Sequence, residues 1–251
     1  MRAPLADKLG VGRPEMVAFV GAGGKSSLLL RLGAELAEAG RRVVVTTTTK
    51  MGAGQIPRWA TTCRTEAEVT DGLGRGEAIF LVGDISADKV AGVGPEFLDR
   101  VFADLSLDYV LLEADGARGR SIKAPAPYEP VIPTKTTLVV VVVGIDAVGR
   151  PIADAAHRPD LLAALLERSL EDPVRPIDIA RAVSHPEGGR QWVPDGVRVT
   201  VALTKVTPGP AAVAATRITE LLADTLIDRV AIIESHPGVG NEDRIDPVSQ
   251  P

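Results

Sequence analysis

The stretch MVAFVGAGGKSSLLLRL, residues 16–32, has the pattern of a strand, a glycine-rich turn and a helix. Its first five residues are apolar and predict a buried strand, and residues 25–39 have the apolar spacing of a helix. Between the two lies the glycine-rich turn GAGGKS, residues 21–26. Glycines let backbone N–H groups converge on an anion, and a helix N-terminus adds partial positive charge. The stretch therefore predicts a phosphate-binding loop.

Each residue of this loop has an expected role. Lys25 is expected to be a flexible cation, not needed for the core, that reaches the β- and γ-phosphates, and the Ser26 hydroxyl is expected to bind Mg²⁺. The full spacing G-x-x-x-x-G-K-[ST] requires a glycine where Phe19 stands, so the loop is shortened and predicts binding more strongly than catalysis. The candidate nucleotide-binding residues here are Gly21, Ala22, Gly23, Gly24, Lys25, Ser26 and Ser27.

A dinucleotide-binding loop is the alternative for the same glycines. The pattern G-x-G-x-x-G would begin at Gly21 and Gly23, but it meets Ser26 in place of the third glycine. The second strand ends in TTTTK, residues 46–50, with no carboxylate for a ribose 2′-hydroxyl. Both observations disfavour Rossmann-type binding.

Two carboxylates follow the apolar run YVLL in the segment YVLLEADG, residues 109–116. This is the form of a Walker B strand, in which acids stand at the carboxyl edge of the sheet beside the phosphate loop. Asp115 is expected to hold Mg²⁺ through water, and Glu113 to orient a nucleophile or contact the metal. Together with Lys25 they are the candidate catalytic residues. The alternative is that Asp115 and Gly116 only form a turn.

Two more strand ends carry candidate nucleotide contacts. Thr47 and Thr48 are candidate phosphate or metal-water ligands, although threonine is also ordinary strand material. The segment LTKVT, residues 203–207, resembles the [NT]-K-x-D base-reading motif of GTP-binding proteins, but Thr207 replaces the aspartate. Guanine specificity is therefore not supported by the motif, and ATP and GTP both stay open. Lys205 is kept as a candidate contact to base or ribose.

The segment of residues 116–135, rich in proline and basic residues, is too long for an ordinary connection between elements. It predicts either a lid or binding loop, or a solvated linker without a role. As a lid, Arg118, Arg120 or Lys123 should face the nucleotide, and Tyr128 or Glu129 should shape the acceptor or partner surface. The candidate substrate or partner contacts are Arg118, Lys123, Tyr128 and Glu129.

Short Val/Ile-rich runs alternate with helical patterns along the whole chain, which predicts βαβ units. We expect a three-layer α/β fold of the P-loop-NTPase type, with a mainly parallel sheet covered by helices on both faces. A single domain is expected over residues 1–235, with a loosely ordered tail at 236–251. Strands are predicted at 16–20, 42–46, 78–82, 109–113, 138–143, 197–203 and 229–233, and helices at 25–39, 66–72, 95–105, 159–168, 177–183 and 210–222.

Composition narrows the classes of function. A net charge of −5 and an aromatic content of 3% argue against a nucleic-acid partner. The most apolar run, residues 138–144, is too short to span a bilayer, and we expect no membrane association. Cys63 is the sole cysteine, which excludes an internal disulfide and fits a cytoplasmic location. The three histidines lack metal-ligand spacing, so no zinc site is expected.

Several motifs together resemble one known family, the YqeC-like proteins, described as accessory factors of selenium-dependent molybdenum hydroxylases or selenium cofactor biosynthesis proteins. The resemblance covers residues 16–233, and its most specific part runs from Glu113 to Pro130. The motifs that carry it are FVGAGGKSS (19–27), VVVTTTTKM (43–51), VLLEADGARGRSIKAPAPYEPVIP (110–133), VVVVGIDAVGRPI (140–152), HRPD (157–160), SHPEGG (184–189) and LTKV (203–206).

The resemblance implies a P-loop-like fold and a role in maturing a molybdenum hydroxylase or its selenium/molybdenum cofactor, with such an enzyme or a cofactor-maturation protein as partner. It implies no defined reaction. Two hypotheses stay open: an Mg²⁺-dependent NTP hydrolase or phosphoryl transferase, and a non-catalytic nucleotide-sensing or cofactor-carrier protein with a degenerate phosphate loop. Family members commonly have N-K-x-D where this chain has Thr204-Lys205-Val206-Thr207.

Overall fold

The computed structural model describes residues 4–235, so the tail predicted at 236–251 lies outside the described residues. The strands are β1 Glu15–Gly21, β2 Val43–Thr47, β3 Met51–Gly52, β4 Thr61–Cys63, β5 Ile79–Leu81, β6 Lys89–Val90, β7 Tyr109–Glu113, β8 Ile122–Lys123, β9 Leu138–Gly144, β10 Ala156–His157, β11 Arg198–Val206 and β12 Arg229–Glu234. The helices are α1 Leu5–Leu9, α2 Lys25–Glu38, α3 Glu66–Gly74, α4 Pro95–Asp104, α5 Ile152–Ala155, α6 Pro159–Leu166, α7 Pro176–Ser184 and α8 Pro210–Leu222.

Eight of these strands form one sheet in the order β12-β11-β9-β1-β7-β2-β5-β4, and every pairing in it is parallel. Two small sheets, β10-β8 and β3-β6, lie beside it. All the strands and helices predicted from the sequence are present, with small differences at their ends. The elements that were not predicted are two to five residues long, too short to show a hydrophobic period.

Both faces of the sheet are covered, which explains why its strands are continuously apolar. In β1, Met16, Ala18 and Val20 point into one core, and Val17 and Phe19 point into the other. The first core is closed by α3, α4, α6, α7 and α8, and the second by α1 and α2. The prediction of a three-layer α/β fold with a parallel sheet is therefore confirmed.

The order in which the chain adds strands to the sheet reverses between β1 and β9: β2 lies on one side of this point and β11 on the other. The chain leaves β1 through α2 on one face and leaves β9 through α5, α6 and α7 on the other. Such a switch point, at the carboxyl edge of a parallel sheet, is where open α/β folds bind ligands. Within the described residues, no helix combines the length and the apolar character that a bilayer crossing requires.

The segment of residues 116–135 is not a structureless connection. Its strand β8 pairs with β10, and Ile122 and Ala124 are buried in the first core. The segment is ordered because its small and apolar side chains pack between the sheet and the helices after β9. The solvated-linker alternative is therefore wrong for this part of the chain.

Candidate functional site

The glycine loop after β1 depends on backbone conformations that favour glycine. Gly21, Gly23 and Gly24 have φ angles of 92°, 94° and 110°. A Cβ on Gly21 would clash with the carbonyl oxygen of Val142, and one on Gly23 with the backbone nitrogen of Gly144. The loop thus lies directly on the end of β9, which only a chain without side chains at these two positions can do.

The backbone N–H groups of the loop fall into two sets. Those of Gly21, Ala22 and Gly23 donate within the protein, to Asp115 Oδ2 at 3.0 Å, to the Val142 carbonyl at 2.8 Å and to the Arg120 carbonyl at 2.9 Å. Those of residues 24–27 have no acceptor within residues 4–235. Gly24 caps the 14-residue helix α2 and the other three form its first turn, so an anion could bind there. Residues 21–23 shape the loop, and residues 24–27 are the free donors.

Lys25 is buried, with its ammonium surrounded by oxygen atoms. Its Nζ donates to the Gly21 carbonyl at 2.7 Å and lies 3.1 Å from Asp115 Oδ1 and 3.5 Å from Glu113 Oε1. Its side chain is 3% exposed. The expectation of a flexible cation that the core does not need is wrong, because the first turn of α2 directs this side chain beneath the loop toward the end of β7.

Hydroxyl and carboxylate oxygens meet beside this lysine. Ser26 Oγ donates to Glu113 Oε2 at 2.6 Å, and the buried Asp115 Oδ1 lacks a hydrogen-bond partner of good geometry. Such oxygens are the ligands that Mg²⁺ prefers, with waters and phosphate oxygens completing the octahedron. The residues present therefore fit a magnesium ion bound together with phosphate. No cluster of three or more His, Cys, Asp or Glu side chains that could hold a metal by itself occurs in residues 4–235.

A chain of alternating charges continues from Asp115 away from the loop. Lys123 Nζ lies 3.0 Å from Asp115 Oδ2 and 2.6 Å from Glu129 Oε2, and Arg158 binds both oxygens of Glu129 at 2.7 and 2.9 Å. Burial alone would raise the pKa of Glu129, but hydrogen bonds from Arg158 and Lys123 outweigh it and hold that pKa below its ordinary value. The sequence motifs contained Arg158 in HRPD, but nothing there indicated this partner.

The residues predicted on the 116–135 segment separate into buried and exposed groups. Lys123 and Glu129 are buried in the charge chain, whereas Arg118 and Arg120 are exposed. Arg120 donates to the Asp154 carbonyl, so its guanidinium is directed to the α5 region. Tyr128 is 73% exposed. Of the three predicted cations, Lys123 is thus the one that contacts the carboxylates of the site.

The predicted threonines hold the edge of the sheet together. Thr47 Oγ1 donates to the Glu113 carbonyl at 3.0 Å, and Thr48 Oγ1 donates to the Val131 carbonyl at 2.9 Å. Both hydroxyls therefore donate to backbone carbonyls of the protein, and Thr47 does so at Glu113 itself.

Lys205 lies on the other side of the loop, away from the β7 carboxylates. Its Nζ donates to Ser121 Oγ at 2.9 Å and to Asp146 Oδ2 at 2.8 Å. Thr204 Oγ1 donates to the Gly23 carbonyl at 2.5 Å, which ties β11 to the loop. Sequence reasoning did not assign Ser121 or Asp146 to the site, and the only signal for Asp146 was its position after β9.

A pocket that is partly open to solvent adjoins the site on the first core's face of the sheet. Gly21, Asp115 and Lys123 form its polar end. Valines of β9 and the pair Gly188–Gly189 line the rest. The carboxylate of Asp115 thus lies between the glycine loop and an apolar space.

Comparison with known proteins identifies the family of this chain. The family model described as YqeC protein matches residues 17–160. The chain belongs to the YqeC family. A YqeC relative from Escherichia coli (strain K12), described as "Uncharacterized protein YqeC", is 30% identical over 232 residues, which covers 90% of this chain and 91% of the relative. The resemblance drawn from the motifs is confirmed. The part matched by the YqeC model includes the glycine loop and both β7 carboxylates, and it ends before Lys205.

Proposed function

We propose that this YqeC family member binds a nucleoside triphosphate, ATP or GTP, together with Mg²⁺ at its glycine loop. The observation that carries the proposal is the set of four N–H groups at residues 24–27, which have no acceptor within residues 4–235. They lie beside Lys25, Ser26, Glu113 and Asp115. Free donors at a helix N-terminus favour an anion, and the adjacent oxygens favour a cation. A magnesium-bound phosphate chain satisfies both.

In this proposal one set of groups binds the phosphates and another binds the metal. The N–H groups and the Lys25 ammonium bind phosphate oxygens, and Ser26, Glu113 and Asp115 bind Mg²⁺ or its waters. Magnesium, when bound, neutralises charge on the phosphates. On binding, Lys25 exchanges part of its contact with the Glu113 and Asp115 carboxylates, which lie 3.5 and 3.1 Å from its Nζ, for contact with phosphate. Hydrolysis, or phosphoryl transfer to a small acceptor, then proceeds mainly by positioning and charge stabilisation.

The cellular role in this proposal rests on the family resemblance alone. It is that of a cytoplasmic accessory protein in the maturation of a molybdenum hydroxylase or its selenium/molybdenum cofactor. Arg118 and Tyr128 are the exposed residues of the 116–135 segment that we assign to contact with the partner enzyme or acceptor.

A second candidate function is nucleotide sensing or cofactor carriage without turnover. The position of Lys25 favours it, because two carboxylates already neutralise this ammonium and reduce the charge available to a transition state. The shortened loop, with Phe19 in place of the first glycine, favours it as well. The two functions share the binding site and differ in whether phosphate is released.

Calorimetric titration with ATP and GTP, with and without Mg²⁺, tests the binding. The wild-type protein should bind at least one triphosphate more tightly with Mg²⁺ than without it. In Ser26→Ala the factor by which Mg²⁺ increases the affinity should be at least about tenfold smaller, as expected for a lost metal contact. Thr216→Ala, which removes an exposed hydroxyl from α8, is the control and should bind like the wild type.

Absence of triphosphate binding in the wild-type protein would contradict the proposal. A Ser26→Ala variant with unchanged Mg²⁺ dependence would contradict the metal assignment. Measurement of phosphate release in the same samples, with and without a candidate hydroxylase, separates the two functions. Release that Ser26→Ala abolishes supports an NTP-dependent enzyme, and tight binding without release supports the sensor or carrier.

A further inference from the structure

A second polar cluster lies at the carboxyl ends of β9 and β11, and the phosphate site does not use it. It consists of Ser121, Asp146 and Lys205, joined by the two hydrogen bonds of Lys205 Nζ. The side chains of Lys205 and Asp146 are 39% and 42% exposed, so a ligand can reach them. Lys205 has a φ of 58°, an uncommon conformation for a residue other than glycine. Backbone strain of this kind often occurs at binding sites.

The cluster is attached directly to the glycine loop. The Thr204 hydroxyl, one residue before Lys205, donates to the Gly23 carbonyl, and Gly23 packs against the Gly144 backbone. A Cβ on Gly144 would lie 2.5 Å from Asp146 Oδ1, so the missing side chain at Gly144 makes room for that carboxylate. Asp146 Oδ2 is bound by Lys205, whereas Oδ1 has no hydrogen-bond donor among the described residues.

The order of the strands places this cluster opposite the phosphate-binding carboxylates. Glu113 is the last residue of β7 and Asp115 follows that strand. The loop stands at the end of β1, Asp146 follows β9 and Lys205 lies near the end of β11, in the sheet order β7-β1-β9-β11. Three strand spacings separate β7 from β11, or about 14 Å. A triphosphate whose terminal end lies at the β7 carboxylates and whose chain crosses the loop therefore carries its nucleoside toward Asp146 and Lys205.

We propose that Asp146 and Lys205 bind the base of this nucleotide and that the base is guanine, an inference that rests on the proposed function. An ionised carboxylate only accepts hydrogen bonds. Guanine presents two neighbouring donors, N1–H and the N2 amino group, to such an acceptor. Adenine presents the N1 lone pair at the same position, which a carboxylate repels. The apolar stem of Lys205 offers a surface for the face of the base.

This assignment supplies the acid that the base-reading motif lacks. The TKVT sequence has Thr207 where GTP-binding proteins have aspartate, and for that reason the motif alone did not indicate guanine. In the folded chain a carboxylate comes from the neighbouring strand instead, held 2.8 Å from the lysine of the same motif. Asp146 is thus the residue that determines base specificity.

Calorimetric titrations of GTP, ATP and xanthosine triphosphate, each with Mg²⁺, test the proposal. The wild-type protein should bind GTP at least tenfold more tightly than ATP, since a site built to pair with substrate donors rejects a base without them. Asp146→Asn should lose at least tenfold in GTP affinity and gain affinity for xanthosine triphosphate, whose C2 carbonyl accepts from the new amide. Asp104→Asn, an exposed change at the end of α4, is the control and should keep the wild-type order.

Equal wild-type affinities for GTP and ATP would overturn the base assignment and leave the proposed function in place. The assignment would also fall if Asp146→Asn weakened both nucleotides by the same factor, because the carboxylate would then bind the ribose. If the wild-type protein bound none of the three triphosphates, the proposed function itself would be wrong. Exchange of preference from GTP to xanthosine triphosphate supports the inference.

Discussion

Two pairs of lysine and aspartate flank the glycine loop, and they differ in their surroundings. Lys123 and Asp115 lie 3.0 Å apart with side chains that are each 2% exposed, whereas Lys205 and Asp146 lie 2.8 Å apart and are about two-fifths exposed. A buried charge that loses its partner costs far more than a hydrated one. The buried pair is therefore part of the fold and of the site, and the exposed pair can change partners for a ligand with little loss of stability.

The same substitution at both aspartates should have the largest difference in effect on stability. Asp115→Asn removes a buried carboxylate that two buried ammonium groups share, so Lys25 keeps only Glu113 and Lys123 keeps only Glu129 as ionised partners. We expect it to lower the free energy of unfolding by about 3–5 kcal/mol. Asp146→Asn should lower it by no more than about 1 kcal/mol. Urea unfolding followed by circular dichroism measures both values, and equal losses would contradict the distinction.

Substitution of the two lysines should give a smaller difference in the free energy of unfolding than substitution of the two aspartates. Lys123→Met leaves Asp115 with Lys25 and the Gly21 N–H, and leaves Glu129 with Arg158, so we expect a loss of about 1–3 kcal/mol. Lys205→Met should cost no more than about 1 kcal/mol. Thermal and urea denaturation provide the test. A Lys205→Met variant less stable than Lys123→Met would show that the exposed pair supports the fold.

The smallest expected effect is the loss of stability at acid pH that depends on Glu129. The folded pKa of Glu129 is lowered by Arg158 and Lys123 against the effect of burial. A lowered carboxyl pKa contributes stability that is present above the unfolded pKa of about 4.3 and is lost as the pH falls through the folded pKa. Glu129→Gln should therefore be less stable than the wild type at neutral pH, and the gap should narrow as the pH falls below about 4.

Unfolding midpoints measured from pH 7 to pH 3 check this dependence. The exposed change Glu171→Gln is the control and should follow the wild-type curve across the whole range. A Glu129→Gln curve parallel to the wild type at every pH would mean that the ionised carboxylate does not contribute through its two cationic partners.

The sequence predicted the layers of the fold and the position of the loop, because both follow from local patterns of apolar residues and glycine. It did not predict the burial of Lys25, since a helix pattern gives the position of a residue and not what covers it. The contact of Arg158 with Glu129 spans 29 residues and depends on the path of the 116–135 segment through the core. Asp146 was missed for the same reason: its lysine partner comes from a different strand, 59 residues away.

The proposed function depends on phosphate binding by the N–H groups of residues 24–27, which have no acceptor within residues 4–235. Backbone amide spectra of the ¹⁵N-labelled protein, recorded while Mg²⁺ with GTP or ATP is added, test it directly. We expect large, saturable shifts for the amides of Gly24, Lys25, Ser26 and Ser27, and smaller shifts for Ala22 and Gly23, whose N–H groups already have acceptors in the protein. Amides of residues 24–27 that stay in place at saturating nucleotide, or shifts confined to another part of the chain, would contradict it.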